Sequence, residues 1–287
     1  MSFPVGIGIV TYNRKAILND TIDRVRALTR QPGAALVVAD DGSTDGTLAM
    51  LRDKQVPVIT GINMGIAWNK NRALFLLSHM LGCQTVILLE DDTQPTRAGW
   101  ESEWIDGANR WGHVNFAAEW MQQHILSGAG TAADPARSKQ ITAQCAAYSG
   151  SALRYGGYFD PLFKGYGHEH VEHSRRLVRV GYGGTDERIN AEDVVTYNLL
   201  KGDLTVVNTP SFQNAEQEER NFQIAKVIMG KQGYRAPWGE DKEMRQFRSE
   251  TESAMIDGPE RFRLTPLESR RGTPAGRRLF SRLFNRR

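Results

Sequence analysis

At 287 residues, 40% of them hydrophobic and 24% charged, the chain can bury a substantial core and fits one large α/β domain with appendages better than two equal domains. Those proportions exclude global disorder and a membrane bundle. The net charge of +3 gathers near the end, where Arg270, Arg271, Arg277, Arg278, Arg282, Arg286 and Arg287 crowd together, so the folded part offers no basic face for nucleic acid.

Val5 to Val10 reads as a strand and Arg14 to Thr29 as a helix, with Ile17, Leu18, Ile22, Val25 and Leu28 at helical spacing. Leu36 to Ala39 is a second strand. A helix over Thr44 to Arg52 is expected to start at the Ser43/Thr44/Asp45 capping group, and Pro57 to Thr60 is a third strand. Ile66 to Leu81 predicts a longer helix, and Thr85 to Leu89 is an unbroken apolar strand running into three carboxylates. Such apolar runs suit central strands of a parallel sheet covered on both faces.

Beyond Thr93 the pattern is less regular. Trp100, Trp104, Trp111 and Trp120 are scattered through it, and the small and polar residues of Ser127 to Arg137 predict a mobile loop. A strand is expected over Ala143 to Ser149, then a turn at Tyr155 to Pro161 and a helix from Glu169 to Val180. Short strands near Val194 to Tyr197 and Leu204 to Val207 precede a helix from Ala215 to Met229. Cys83 and Cys145 lie far apart without Cys-x-x-Cys spacing, which gives neither a disulfide framework nor a zinc pattern and points to a reducing, cytoplasmic compartment. The opening residues lack a basic n-region, so they read as a first strand rather than a signal.

Polar clusters follow each early strand: Thr11-Tyr12-Asn13-Arg14, then Asp40-Asp41-Gly42-Ser43-Thr44-Asp45-Gly46, then Asn63-Met64-Gly65. In an open α/β sheet these fall at the carboxyl edge, where ligands bind. An aromatic ring, a carboxylate able to accept from a base N–H, and an Asn-x-Gly turn that lets backbone approach closely are what a nucleotide needs. Singly, Asp-Asp-Gly-Ser is also an ordinary strand-to-helix turn. Glu90-Asp91-Asp92 are three adjacent acids that repel one another at a buried strand end unless a cation compensates, and a hard divalent ion, Mn²⁺ or Mg²⁺, meets that need.

In this order the motifs TYNR, VVADDGSTDGT, NMGIAWNKNRAL and a strand into a DxD-type cluster resemble glycosyltransferase family 2 and its GT-A relatives. The resemblance implies a Rossmann-like, mixed but mainly parallel sheet flanked by helices, with a C-terminal helical extension. It implies a nucleotide-sugar donor, usually a UDP-sugar, and a saccharide or lipid-linked glycan as acceptor. Thr11, Tyr12 and Asp40 or Asp41 would hold the base, and Asn63 with Lys70 or Arg72 would lie toward ribose and diphosphate. The EDD form resembles that of N-acetylglucosaminyltransferases, which makes Asp92 the metal ligand and turns Glu90 and Asp91 toward the ribose or behind the metal. A late histidine ligand of many relatives has no counterpart, because all six histidines lie at or before His173.

On the acceptor side, Ser149-Gly150-Ser151, the Gly156 to Phe163 turn and Gly165-Tyr166-Gly167-His168-Glu169-His170 resemble the glycine-rich strand, GGFD turn and WGGED-type motif of galactosyl- and N-acetylgalactosaminyltransferases. Where the inverting relatives carry Asp, this chain has His170. A neutral imidazole accepts a proton near neutrality more readily than an ordinary carboxylate. His170 or Glu169 is therefore the expected base, unless the enzyme is retaining and needs none. The tryptophans read mostly as core, though Trp100, Trp104 or Trp120 could offer a face on which a sugar stacks, and none is singled out.

The expected organisation is a catalytic domain over 1–210, divided at 95/96 into donor and acceptor halves, a helical extension over 211–265 and a basic tail over 266–287. Within 277–287, Leu279, Phe280, Leu283 and Phe284 share a helical side among arginines, a pattern suited to peripheral contact with anionic lipid. From other classes, a nucleotidyltransferase also joins an α/β sheet to carboxylates and Mg²⁺, but TYNR stands where its glycine-rich phosphate loop belongs. No nucleic-acid partner is expected.

Overall fold

The computed structural model describes residues 3–189, 192–207, 214–229, 231 and 233–265 of the chain; the basic tail expected at 266–287 lies outside them. The first half is a βα alternation: β1 (Val5–Thr11), α1 (Lys15–Leu28), β2 (Ala35–Asp40), α2 (Thr47–Asp53), β3 (Val58–Thr60), α3 (Ile66–Phe75) and β4 (Thr85–Glu90). A π-helical turn, Leu76–Met80, continues α3. There follow β5 (Thr93–Pro95), α4 (Glu101–Trp111), β6 (His113–Phe116), β7 (Ile125–Ser127), β8 (Ala136–Ser138), β9 (Cys145–Ser149), α5 (Gly150–Gly156), α6 (Glu169–Arg179), β10 (Gly184–Ile189), β11 (Glu192–Leu200) and β12 (Leu204–Val206). Helices α7 (Ala215–Ile228) and α8 (Asp241–Ala254) occupy the stretch expected to be a helical extension.

The main sheet runs β3-β2-β1-β4-β9-β6-β11-β8-β7, with β10 paired to β11. Its first four strands are parallel. At β9 the direction reverses, and β9 pairs antiparallel with both β4 and β6. The expected α/β, GT-A-like mixed sheet is thus observed, with its parallel part concentrated in β1 to β4. Separately, β5 and β12 form a two-stranded ribbon.

The alternation within β1 explains how the layers close. Val5, Ile7 and Ile9 point into a core shared with Leu18, Ile22 and Val25 of α1. Gly6 and Gly8 face the other way, toward α3, where a Cβ on Gly8 would meet Ala73 Cβ at 3.0 Å. Missing side chains on that face let α3 lie close against the strand, and this proximity places its polar residues at the sheet edge.

Two expectations shift for physical reasons. Helix α2 starts at Thr47 rather than Thr44, because Ser43 and Thr44 are engaged elsewhere: Ser43 Oγ accepts from Asn13 N at 2.7 Å, and Thr44 N donates to Asn13 Oδ1 at 2.7 Å. Asp45 takes over at the helix start, its Oδ1 accepting from Thr47 N and Oγ1 at 3.1 and 2.6 Å. The segment Ser127 to Arg137 is a tied turn between β7 and β8, not a free loop. Asp134 accepts from Ala129 N through its carboxylate and from Gly130 N through its carbonyl, both at 2.9 Å, and Gly130 O accepts from Lys201 N. Among the described residues no helix is long and apolar enough to cross a membrane.

Candidate donor and acceptor site

A cleft of ≈ 340 Å³ opens at the carboxyl ends of β1 and β4. Thr11, Tyr12, Arg14, Asp41, Asn63, Gly65, Glu90, Asp91 and Tyr166, all singled out by sequence, line it. Tyr12 is 47% exposed, leaving its ring available to a planar ligand. Asp41 is buried. Its oxygens accept from Met64 N at 3.0 Å, Gly65 N at 2.9 Å and the Arg72 guanidinium at 2.9 Å. Burial pushes its carboxyl above the ordinary range against the pull of those donors.

Gly65 holds the cleft's narrow wall. Its φ is +93°, and Ile66 N donates to Gly165 O at 2.8 Å, joining the third polar cluster to the acceptor-side segment. A Cβ at Gly65 would overlap the Gly165 backbone, so only glycine fits.

The acids at the end of β4 are unevenly compensated. Arg14 reaches Asp91 at 2.8 Å and Asp92 at 3.0 Å, and Thr11 Oγ1 donates to Asp91 Oδ2 at 2.6 Å. Burial still pushes the Asp91 carboxyl up to about 7, with Arg14 and Thr11 pulling against it. Asp92 is also raised, by burial and then by the Glu90 charge. Excess negative charge here fits a divalent cation. Among the described residues no three His, Cys, Asp or Glu side chains form a metal cage, so such an ion would rest on few protein ligands and on its donor substrate.

Lys70 connects the two halves. It is 2% exposed and lies 3.1 Å from Glu90 Oε1 and 3.5 Å from Glu169 Oε1. Burial disfavours its charge, but Glu90 and Glu169 outweigh this and hold the ammonium above its usual value. Glu169 is equally buried and also accepts from Gly167 N at 2.9 Å. Burial opposes its ionisation, yet Lys70 and His170 hold its carboxyl well below the usual range. His170 Nδ1 stands 3.4 Å from Glu169 Oε1, within ion-pair reach but without an aligned hydrogen bond, and its side chain is 23% exposed. His168 takes a left-handed φ of +66° at the start of α6, and its ring packs on Phe222.

Several expected site residues lie elsewhere. Asp40 is fully buried and accepts from Gly42 N, Ser43 N and Thr60 Oγ1, so it shapes the turn behind the cleft. Arg72 points away from the cleft, held between Asp41 and Glu250 of α8, each at 2.9 Å. Asn13 serves the turn before α2. Gly150 lines a different cleft on the opposite sheet edge. Trp100 and Trp104 are wholly buried, their indole N–H groups given to Thr29 and Gly202, and cannot stack on a sugar; Trp120 is 56% exposed.

Other residues at the site carried no reading from sequence. Asn69 lines the cleft and donates to Thr11 O and Ala39 O, fixing the ends of β1 and β2. Its place one turn after Gly65 on α3 was a usable signal. Asn71 clamps Phe159 through N–H and C=O, both at 2.9 Å, tying α3 to the acceptor turn. Gln217 reaches the cleft from α7, and nothing local in sequence marks it.

A parallel half ending in a carboxylate cluster, continued by a mixed half across the same sheet edge, defines the GT-A class of α/β fold. Residues 7–104 match the family described as Glycosyl transferase family 2, in agreement with the motif order. No curated protein matches the chain in sequence. Among solved structures, a mannosyltransferase from Pyrobaculum calidifontis in complex with GDP-Man and Mn²⁺ aligns with a TM-score of 0.54 at 15% identity, over 92% of this chain and 68% of that one. GalNAc-T7 with UDP, GalNAc and Mn²⁺ gives 0.56 at 14% identity, over 88% and 55%. S. aureus TarS 1-349 in complex with UDP gives 0.51 at 11%, over 90% and 66%. The chain therefore spans between 55% and 68% of the lengths of these three. Identities this low speak to the fold alone.

Proposed function

We propose that the chain is a metal-dependent glycosyltransferase that moves a sugar from a nucleotide-sugar, a UDP-sugar in this reading, to a hydroxyl of a saccharide or lipid-linked glycan. The observation that carries the reading is the donor cleft itself. Glu90 and Asp91 line it with the exposed Tyr12 and the buried Asp41, Arg14 ties Asp91 to the adjacent Asp92, and Glu90 shares Lys70 with Glu169. The family 2 match over 7–104 and the nucleotide-bound GT-A neighbours support it.

Asp92 would hold the divalent ion, Mn²⁺ or Mg²⁺, with Glu90 and Asp91 toward the ribose. Bound there, such an ion supplies positive charge for the departing nucleotide diphosphate. Tyr12 and Asp41 serve the base, and Arg14 stands beside the carboxylates as a cation for the diphosphate. At the acceptor side His170 takes the hydroxyl proton. Glu169 is a poor base, since both its oxygens are engaged and Lys70 keeps it ionised. It instead positions and supports the imidazole. A nucleotidyltransferase reading fits less well, because TYNR rather than a glycine-rich phosphate loop follows β1.

Thermal-shift measurements with UDP, GDP, dTDP and CTP in Mn²⁺ test the donor assignment. UDP should stabilise the protein most, and stabilisation by CTP alone moves the reading to nucleotidyl transfer. For the base, His170→Asn should remove the acid limb of the transfer pH profile; an unchanged limb at near-normal rate eliminates it.

A further inference from the structure

A second, larger cleft of ≈ 720 Å³ lies on the sheet edge opposite the donor cleft. Strand register fixes its floor: Thr85, where β4 begins, pairs with Ser149, where β9 ends, and His113 at the start of β6 pairs with Tyr148. One wall is the end of α4, another the turn at 181–184 that follows α6, and a third is β8 and β11 at Arg137 and Asn198.

Its charge is one-sided. Arg110, Arg137 and Arg154 line it, and among the described residues none of the lining side chains is acidic. Arg110 is exposed and gives Nε to Asp106 at 2.9 Å, which leaves its terminal NH₂ groups for another acceptor. Arg154 is exposed, with no ion pair among the described residues. Arg137 lies over the Trp111 ring, 5.2 Å from its centroid, and donates to Asn198 Oδ1 at 2.5 Å.

That last contact fixes the direction of one wall. Asn198 is 1% exposed, so its carboxamide is a built-in part of the wall. Because a guanidinium only donates, Oδ1 must face Arg137, and the amide NH₂ is turned the other way. Asn198 lines the cleft, and among the described residues no hydrogen bond is donated by its NH₂, so that wall carries an amide donor beside the Arg137 guanidinium.

We propose that this cleft binds a phosphate-bearing small molecule of the sugar-phosphate class. Three guanidinium groups exceed what one carboxylate neutralises, and their forked donors match phosphate oxygens. The volume accommodates a ring as well as an anion, and the half-buried Tyr182 supplies an apolar wall. Helix α6 begins at Glu169 and His170 and ends beside this cleft, so the two sites lie at opposite ends of one helix. A ligand here does not compete with the donor nucleotide.

Isothermal titration of the full chain with glucose 6-phosphate and, separately, inorganic phosphate tests this, each with and without saturating UDP and Mn²⁺. One site is expected, unaffected by UDP and Mn²⁺. The double variant Arg110→Ser/Arg154→Ser, which changes exposed side chains only, should weaken it on the order of tenfold or more. UDP affinity and the thermal midpoint of that variant should match wild type. Failure of both probes to bind, equal binding by the double variant, or displacement by UDP and Mn²⁺ overturns the proposal.

Discussion

The parallel half of the sheet, which carries the proposed donor cleft, and the mixed half, which carries the proposed acceptor residues, are built on opposite principles. From β3 to β4 every strand is parallel, so each βα turn returns to the same edge and the donor cleft assembles from segments that follow strands in order. From β9 onward the strands mostly alternate direction, and the acceptor residues come from a single helix start at Glu169 and His170. One site is thus a composite of many turns, and the other is a short motif braced from behind by Lys70, Asn71 and the buried Glu172–Arg176 pair. Losing a residue from one turn should cost activity with little cost in stability, whereas losing a brace should cost stability as well.

The largest expected effect probes that brace. Lys70→Met leaves Glu90 and Glu169 without their shared cation and should cost about 3–5 kcal/mol of stability. In the wild type Glu169 is held below its unfolded value, so its contribution is present above the unfolded pKa and lost as pH falls through the folded one. Without Lys70 the largest pull against burial is gone and only His170 and the Gly167 N–H oppose it, so the variant's deficit should grow as pH rises. Urea unfolding at pH 5 and pH 8 checks this, and equal deficits at the two values contradict it.

Next comes Asp92→Ala, a single-turn lesion in the donor half. Metal-dependent transfer should drop at least ~100-fold with little change in thermal midpoint. Full activity would remove Asp92 from the metal assignment.

His113 offers a third comparison from within the acceptor half. It is fully buried, with Nδ1 at 3.0 Å from Ala147 O and Nε2 at 3.0 Å from Ser174 Oγ, and burial lowers it to about 4. The unfolded chain binds a proton there between pH 6.5 and 4 while the folded chain does not. Stability should therefore fall across that window as pH drops, by up to about 3 kcal/mol. His113→Asn should flatten the slope of unfolding free energy against pH; an unaltered slope rules His113 out as its source. The smallest effect expected is from Gly65→Ala, about 1–3 kcal/mol, accompanied by weaker UDP binding in titration.

This difference in construction also explains what was legible beforehand. The apolar runs of β1, β2 and β4 and the turns after them are contiguous in sequence, so both the class of fold and most of the donor cleft could be read from motif order. Arg72 and Asp40 show the limit. Both belong to the motifs, but whether a polar side chain faces a cleft or turns inward depends on what lies behind it, and for Arg72 that is Glu250, 178 residues away. Helix α4 and strands β5 to β8 went unread because their apolar stretches are short and interleaved with tryptophans whose burial is decided by long-range packing. Gln217 had no local signature at all.

Backbone closure at Gly65 and Gly165 bears on how such a cleft changes over time. Where a wall is made of side chains, donor preference drifts by single substitutions. Here one wall is main chain against main chain, and no replacement at Gly65 is tolerated without moving the acceptor segment. If the cleft holds the donor as proposed, variation in which sugar nucleotide is accepted is left to Tyr12, Asn63, Ile66 and Gln217, the lining positions around that fixed wall.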